Sequence, residues 1–231
     1  MTRAVTVIGM SGVGKTRLGR ILSQAGWFHY SNDYRIGTAY MAEELSAPVW
    51  IHDLSAMADY LTLPGDPAKG GLSLDEFKRR QDVYKNGEIR AALDMPGFLA
   101  GHDKFLNDTT GSLCELDRPD ILEMFAAHGP ILYIKASPAQ EKKLFDRAMA
   151  APKPLYYHPA FFDTALRDYM QERQLVGVAR IDPFDLYQWI FPKLFHARLP
   201  KYQAIADRYG RTVSGDAIAA LADAGDFEAL L

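Results

Sequence analysis

Ala4-Val-Thr-Val-Ile8, followed at once by Gly9-Met-Ser-Gly-Val-Gly-Lys-Thr16, decides the fold. The first five residues are a β-branched apolar run, the pattern of a strand buried on both faces. The next eight match G-x-x-x-x-G-K-S/T on Gly9, Gly14, Lys15 and Thr16 without a mismatch. Each part has a physical task. Glycines let the backbone wrap around an anion with its N–H groups turned inward. A following helix aims its positive end at the same point, and Arg17-Leu-Gly-Arg-Ile-Leu22 reads as that helix. Lys15 supplies a charge for β- and γ-phosphates, and the Thr16 hydroxyl is a ligand for Mg²⁺. Gly9, Ser11, Gly12, Val13, Gly14, Lys15, Thr16 and Arg17 are therefore the expected nucleotide-binding residues.

The chain of 231 residues is expected to form one domain, and 48% hydrophobic residues suffice for a core. A net charge of −3 gives no general attraction to nucleic acid or an anionic membrane. No apolar run approaches spanning length. The N-terminus enters a core strand directly, which speaks against a signal peptide. One cysteine, Cys114, excludes an internal disulfide and fits a reducing cytoplasm. The histidines lack metal-ligand spacing, so no zinc site is expected.

Strands are expected at 27–31, 104–108, 131–134 and 211–213. Helices are expected at 34–45, from a Ser73-Leu-Asp-Glu76 capping pattern to 93, at 120–128, at 138–149, and over much of 159–209 with breaks near Pro183 and Pro192. Leu63 to Gly71 is turn-rich and reads as a mobile surface loop, and Ala151-Pro-Lys-Pro154 as a breaker. Alternating strands and helices imply a parallel sheet covered on both faces. Its ligand edge is the carboxyl end of the strands, where residues 9–16, Asp33 and Asp108 all fall. Asp108 is a candidate Mg²⁺ ligand or a turn aspartate. Asp33 is a candidate base or hydroxyl-orienting group, or the cap of the helix at Tyr34. The aromatic runs 156–162 and 187–191 read as core rather than as a pocket lining.

The residues together resemble shikimate kinase, within the nucleoside-monophosphate-kinase-like group of P-loop kinases. Gly14-Lys-Thr-Arg-Leu-Gly-Arg20 is similar to that family's G-K-S-T-x-G-R. Asp33 falls at the second acid of its D-x-D, Phe77-Lys-Arg-Arg-Gln81 at its F-R-x-x-E, and Thr109-Thr-Gly111 at its G-G-G. Lys153-Pro-Leu-Tyr156 looks like its lid R-P-L-L, and Arg198-Leu-Pro-Lys-Tyr202 like its R-x-P-x-Y. The departures are Ser31 for the first acid, Lys78 and Gln81 in the helix motif, a single glycine at Gly111, and Lys153 for the lid arginine.

This resemblance implies a P-loop NTPase three-layer α/β sandwich with about five parallel strands, as one domain over 1–231. Its enlarged acceptor region would cover about 34–103 and its lid about 145–197. It implies ATP and Mg²⁺, with Thr16 and Asp108 holding the metal. Arg147 would lie over adenine, with Lys15, Asp33 and Lys153 catalytic, and Asp33, Lys78, Gly111 and Arg198 binding the acceptor. The departures argue against shikimate itself. The partners expected are a nucleotide and a small-molecule hydroxyl acceptor, not nucleic acid or a membrane. The alternative is an ATPase or nucleotide-dependent switch with a protein partner. No N-K-x-D guanine motif is present.

Overall fold

The structure, a computed structural model, describes residues 3–50, 53–151, 153 and 155–231. Its centre is a five-stranded, wholly parallel sheet of order β2-β3-β1-β4-β5. The strands are β1 (Arg3–Ile8), β2 (Phe28–Ser31), β3 (Lys104–Asp108), β4 (Ile131–Lys135) and β5 (Gly210–Ser214). Val7 pairs with Asp108 and Ser31 pairs with Asp108, so the carboxyl ends of β1, β2 and β3 finish level.

Alternation along β1 divides the core into two layers. Val5 and Val7 pack with Leu18 and Leu22 of α1 (Lys15–Gln24), Ile218 of α9 (Gly215–Ala220) and Phe227 of α10 (Ala224–Glu228). Ala4 and Ile8 face the opposite layer. That layer is built by α4 (Leu74–Leu99), α5 (Pro119–His128), α7 (Pro159–Glu172) and α8 (Pro183–Tyr209). Helix α6 (Pro138–Ala150) adds Leu144 and Phe145. This is the expected three-layer α/β architecture of the P-loop type. A third apolar cluster joins Ile36 and Met41 to Met57 of α3 (Ser55–Tyr60), Tyr84 of α4 and Tyr156. No helix among the described residues is long and apolar enough to cross a membrane.

Three local expectations are corrected. Helix α2 spans only Asn32–Arg35 and passes into a π-helical turn, Ile36–Tyr40. Its cap is Ser31, not Asp33; the Ser31 hydroxyl accepts from the Tyr34 N–H. Pro192 and Pro200 lie inside α8 without interrupting it. Burial of Ile190, Phe191, Leu194 and Phe195 holds the helix where local propensity would break it. The 63–71 segment is tied down rather than loose. Leu72 N–H donates to Leu63 O at 3.1 Å, Gly65 N–H to Leu72 O at 2.9 Å, and Asp66 N–H to Ile181 O at 2.7 Å. Pro152 and Pro154 of the expected breaker lie outside the described residues.

Candidate active site

The loop from Gly9 to Gly14 carries three glycines in the left-handed region, with φ of 144°, 86° and 108° at Gly9, Gly12 and Gly14. A Cβ at Gly9 would meet Ile134 O at 2.9 Å, so only glycine fits that turn against β4. Gly14 begins α1 with no side-chain cap, leaving the first N–H groups of the helix for an anion. Lys15 is 7% exposed, and its Nζ donates to Gly9 O at 2.8 Å and Met10 O at 3.2 Å. Burial holds the Lys15 amine below its ordinary pKa, with Asp108, Asp33 and Cys114 opposing. Thr16 is exposed on the first turn of α1, and Val13 packs into the core. Arg17 points elsewhere: it donates to Ile218 O and Leu221 O, both at 2.9 Å, and fastens α1 to the end of α9.

Asp33 is positioned by its neighbour. Asn32 Nδ2 donates to Asn107 Oδ1 at 2.7 Å and to Asp108 O at 3.0 Å, and Asn107 Nδ2 donates to Thr6 Oγ1 at 3.1 Å. This chain of amides bolts the start of α2 across β3 to β1. Burial lifts the Asp33 pKa to about 6, with Lys15 pulling it down and Asp108 pushing it up. Asp108 is itself engaged. Its Oδ2 lies 3.0 Å from His29 Nε2, and both side chains are 8% exposed. The His29 ring fills the place of a side chain on Gly19: a Cβ there would lie 2.3 Å from it. Gly19→Ala is therefore expected to displace His29 from Asp108 and cost about 1–3 kcal/mol by overpacking. Denaturant titration checks this, and an unchanged midpoint would refute it.

A second polar cluster lies behind the cavity wall. Glu88 on α4 is 1% exposed, and its carboxyl accepts from the hydroxyls of Thr110 and, at 2.8 Å, Ser112. Burial raises the Glu88 pKa to about 7, against the hydrogen bonds of Thr110 and Ser112; Asp33 raises it further and Arg198 lowers it. Arg198 of α8 is 2% exposed. It donates to Glu115 Oε1 at 3.2 Å, Gly111 O at 2.9 Å and Tyr156 O at 2.7 Å. Gly111 abuts the glycine loop, since a Cβ there would sit 3.2 Å from Ser11 N.

These elements surround one cavity of about 440 Å³. Its lining includes Ser11, Gly12, Asp33, Gly111, Arg147, Lys153 and Arg198, seven residues expected from the sequence. Arg147 and Lys153 are exposed at its rim, and neither has an ion-pair partner among the described residues. Lys78 is not brought there. It pairs with Asp163 at 2.9 Å on the outer face of α4, about 100° around the helix from buried Phe77. Gln81 acts through the backbone instead. Its amide donates to Leu155 O at 3.1 Å and accepts from Tyr157 N–H at 2.8 Å, a pairing that a carboxylate could not make. Among the aromatics read as core, Tyr157 and Phe162 are core, while Tyr156, Tyr187 and Phe191 also line the cavity.

Sequence reasoning missed Glu88, Tyr84, Ser112 and the His29–Asp108 pair. The available signal was polar residues at core spacing: Phe77, Gln81, Tyr84 and Glu88 follow one helical face. Cys114 is buried and its thiol is pushed up to about 12 by burial, so it is no nucleophile.

No protein-family model and no curated protein matches the chain. Solved structures similar to it include shikimate kinase from Bacteroides thetaiotaomicron, at 15% identity and TM-score 0.46, over 98% of this chain and 93% of that one. A sulfotransferase from Alicyclobacillus acidocaldarius is 12% identical at TM-score 0.38, over 95% of this chain and 75% of that one. EHV4-TK complexed with TP4A is 11% identical at TM-score 0.39, over 99% and 95%. At these levels the chemistry must be read from this chain's own residues.

Proposed function

We propose that the protein transfers the γ-phosphoryl group of ATP to a hydroxyl of a small molecule. The observation that carries this reading is that the glycine loop and Asp33, a half-buried carboxyl of raised pKa, open on one cavity. In this reading the loop N–H groups and the end of α1 hold the β- and γ-phosphates, and Lys15 neutralises charge as it spreads in transfer. Arg147 and Lys153 help to offset that charge from the rim, with Arg147 beside the adenine end. Thr16 and Asp108 would hold Mg²⁺, which neutralises the phosphates. The donor set fits a cation that keeps water and phosphate ligands, since Thr16 is exposed and His29 occupies one Asp108 oxygen. Asp33 takes the acceptor proton as the acceptor oxygen bonds to phosphorus and the bond to the leaving ADP breaks.

The test is ATP consumption with Mg²⁺ against a library of hydroxylated compounds. Acceptor-dependent consumption with a phosphorylated product is expected; acceptor-independent hydrolysis stimulated by a protein would replace this reading with the switch. The pH profile follows from Asp33. A base must be ionised, so kcat/KM is expected to fall about tenfold per pH unit below about 6 and to level off above it. A flat profile between pH 5 and 7 would refute the role. Stability runs the other way. A carboxyl raised above its ordinary value stabilises the fold at low pH and loses that contribution as pH rises through the folded value. Asp33→Asn is therefore expected to raise Tm at pH 8 while removing most turnover.

A further inference from the structure

Resting on the kinase reading, we propose that His29 is a positioning residue for the nucleotide-bound metal. It holds the Asp108 carboxylate by one oxygen and so makes the site select Mg²⁺ over Ca²⁺. His29 Nε2 lies 3.0 Å from Asp108 Oδ2. A carboxylate oxygen only accepts, so Nε2 carries a proton and donates. Both side chains are 8% exposed, so water competes little for that bond. The other oxygen, Oδ1, has no hydrogen-bond partner among the described residues and keeps access to solvent. Asp108 thus presents one committed oxygen and one free one.

The fold is shaped for this pair. Cross-strand partners share a face of a sheet. His29 pairs with Leu106, and Asp108 follows two residues later, so both side chains point to the layer of α1, where Leu106 packs with Leu18 and Leu22. The His29 ring lies over Gly19, where a Cβ would come within 2.3 Å of Cε1 and 2.6 Å of Nε2. Gly19 is about one helical turn beyond Thr16, on the same side of α1. One helix face therefore carries the hydroxyl proposed to hold the metal and the gap that lets His29 grip the carboxylate. Asp108 is also the strongest charge acting on the Lys15 amine, which places it at the phosphate end of the loop.

The two cations ask different things of a carboxylate. Mg²⁺ is small, demands octahedral geometry and keeps several waters, so one carboxylate oxygen suffices. Ca²⁺ is larger, takes about six to eight oxygens and often uses both oxygens of one carboxylate. Tying Oδ2 to His29 serves the first and denies the second its bidentate mode. Filling the gap over Gly19 needs only a ring; gripping Oδ2 needs the nitrogen.

The experiment measures the Kd of the non-hydrolysable analogue AMP-PNP by titration calorimetry, in EDTA, in saturating Mg²⁺ and in saturating Ca²⁺. His29→Phe keeps a ring over Gly19 and removes the donor, and His29→Gln keeps an N–H donor at similar reach. In the parent, Mg²⁺ is expected to tighten binding, and Ca²⁺ to do so at least about tenfold less well. In His29→Phe the gain from Mg²⁺ should shrink about tenfold and the two cations should come within about threefold of each other, with the Kd in EDTA unchanged. His29→Gln should stay within about threefold of the parent in every condition. Gly19→Ala displaces the ring while leaving His29 and Asp108 in the chain, and should reproduce His29→Phe. A merely structural histidine would lower Tm in His29→Phe and leave the ratios between conditions at their parent values. That result, a glutamine variant no better than phenylalanine, or a parent that does not distinguish the two cations overturns the inference while the kinase reading stands. A parent that fails to bind AMP-PNP, or binds it equally well in EDTA, sinks the kinase reading and the inference with it.

Discussion

Lys15→Met is expected to lower acceptor-dependent ATP turnover by about 10²–10³-fold, the scale of losing one charged donor to a developing transition-state charge. Lys15 is 7% exposed, and the substitution keeps the buried stem and removes only the ammonium, which donates to Gly9 O and Met10 O. The fold should tolerate it. Burial depresses the Lys15 pKa, so the folded state carries a desolvation cost that methionine does not. A lysine whose pKa is lowered by folding costs stability below its ordinary value and regains it as pH rises. Tm at pH 7 should therefore be unchanged or higher while turnover collapses, the signature of a residue kept for function. Turnover within threefold of the parent would end the phosphoryl-transfer mechanism proposed above. The same loss accompanied by a large fall in Tm would mean that the lysine holds the loop rather than the phosphates.

Asp33, Lys15 and Glu88 thus share a physical character. Each is a charged type placed where burial disfavours charge, and Asp33 acts on both of the others. A core selected for stability alone would not retain them. Glu88→Gln keeps its two hydroxyl partners and is expected to stabilise the fold more at pH 8 than at pH 5, by the same sign argument as Asp33.

The first strand, the loop and α1 were legible because three independent signals agree there: an apolar run, glycines at fixed offsets and helical spacing. Strand β3 was legible to its bounds, Lys104–Asp108, because its apolar centre ends in an acid. Helix α8 was misread at Pro192 because single-residue rules cannot see what Phe191 and Phe195 pack against. The 63–71 segment was misread because glycine and proline report turn chemistry and not tethering. Gly71 is there to let the chain pass Gly65, where a Cβ would lie 2.3 Å from its carbonyl carbon. In the cavity, basic residues were legible as charges but not as directions. Lys78 and Arg17 turn to Asp163 and to the end of α9, whereas Arg147 and Lys153 turn to the rim. Glu88 was invisible because an acid at core spacing reads as an interruption of the pattern.

Arg198→Ala is expected to destabilise the protein by about 3–5 kcal/mol, because it strands a buried carboxylate. Glu115 is 1% exposed, and without Arg198 its charge retains only the half-exposed Lys201, whose Nζ donates to Oε2 at 2.5 Å. Tyr156 O loses the donor at 2.7 Å, and Gly111 O keeps only the Tyr202 hydroxyl at 2.5 Å. For a chain of this length the loss corresponds to a Tm fall of roughly 10 °C. The double substitution Arg198→Met, Glu115→Leu removes both charges together and should recover most of the loss, since an apolar pair replaces an ion pair without stranding either partner. The measurement separates two roles for this arginine. A clamp serving only an acceptor carboxylate would not be tied to protein carbonyls, and Arg198→Ala would then change KM with Tm almost unmoved. An arginine that ties α8 to the Gly111 turn and to the Tyr156 backbone must move Tm first. Its removal then reaches the acceptor only through the displaced Tyr156 ring, so that KM for the acceptor rises while KM for ATP stays near the parent value.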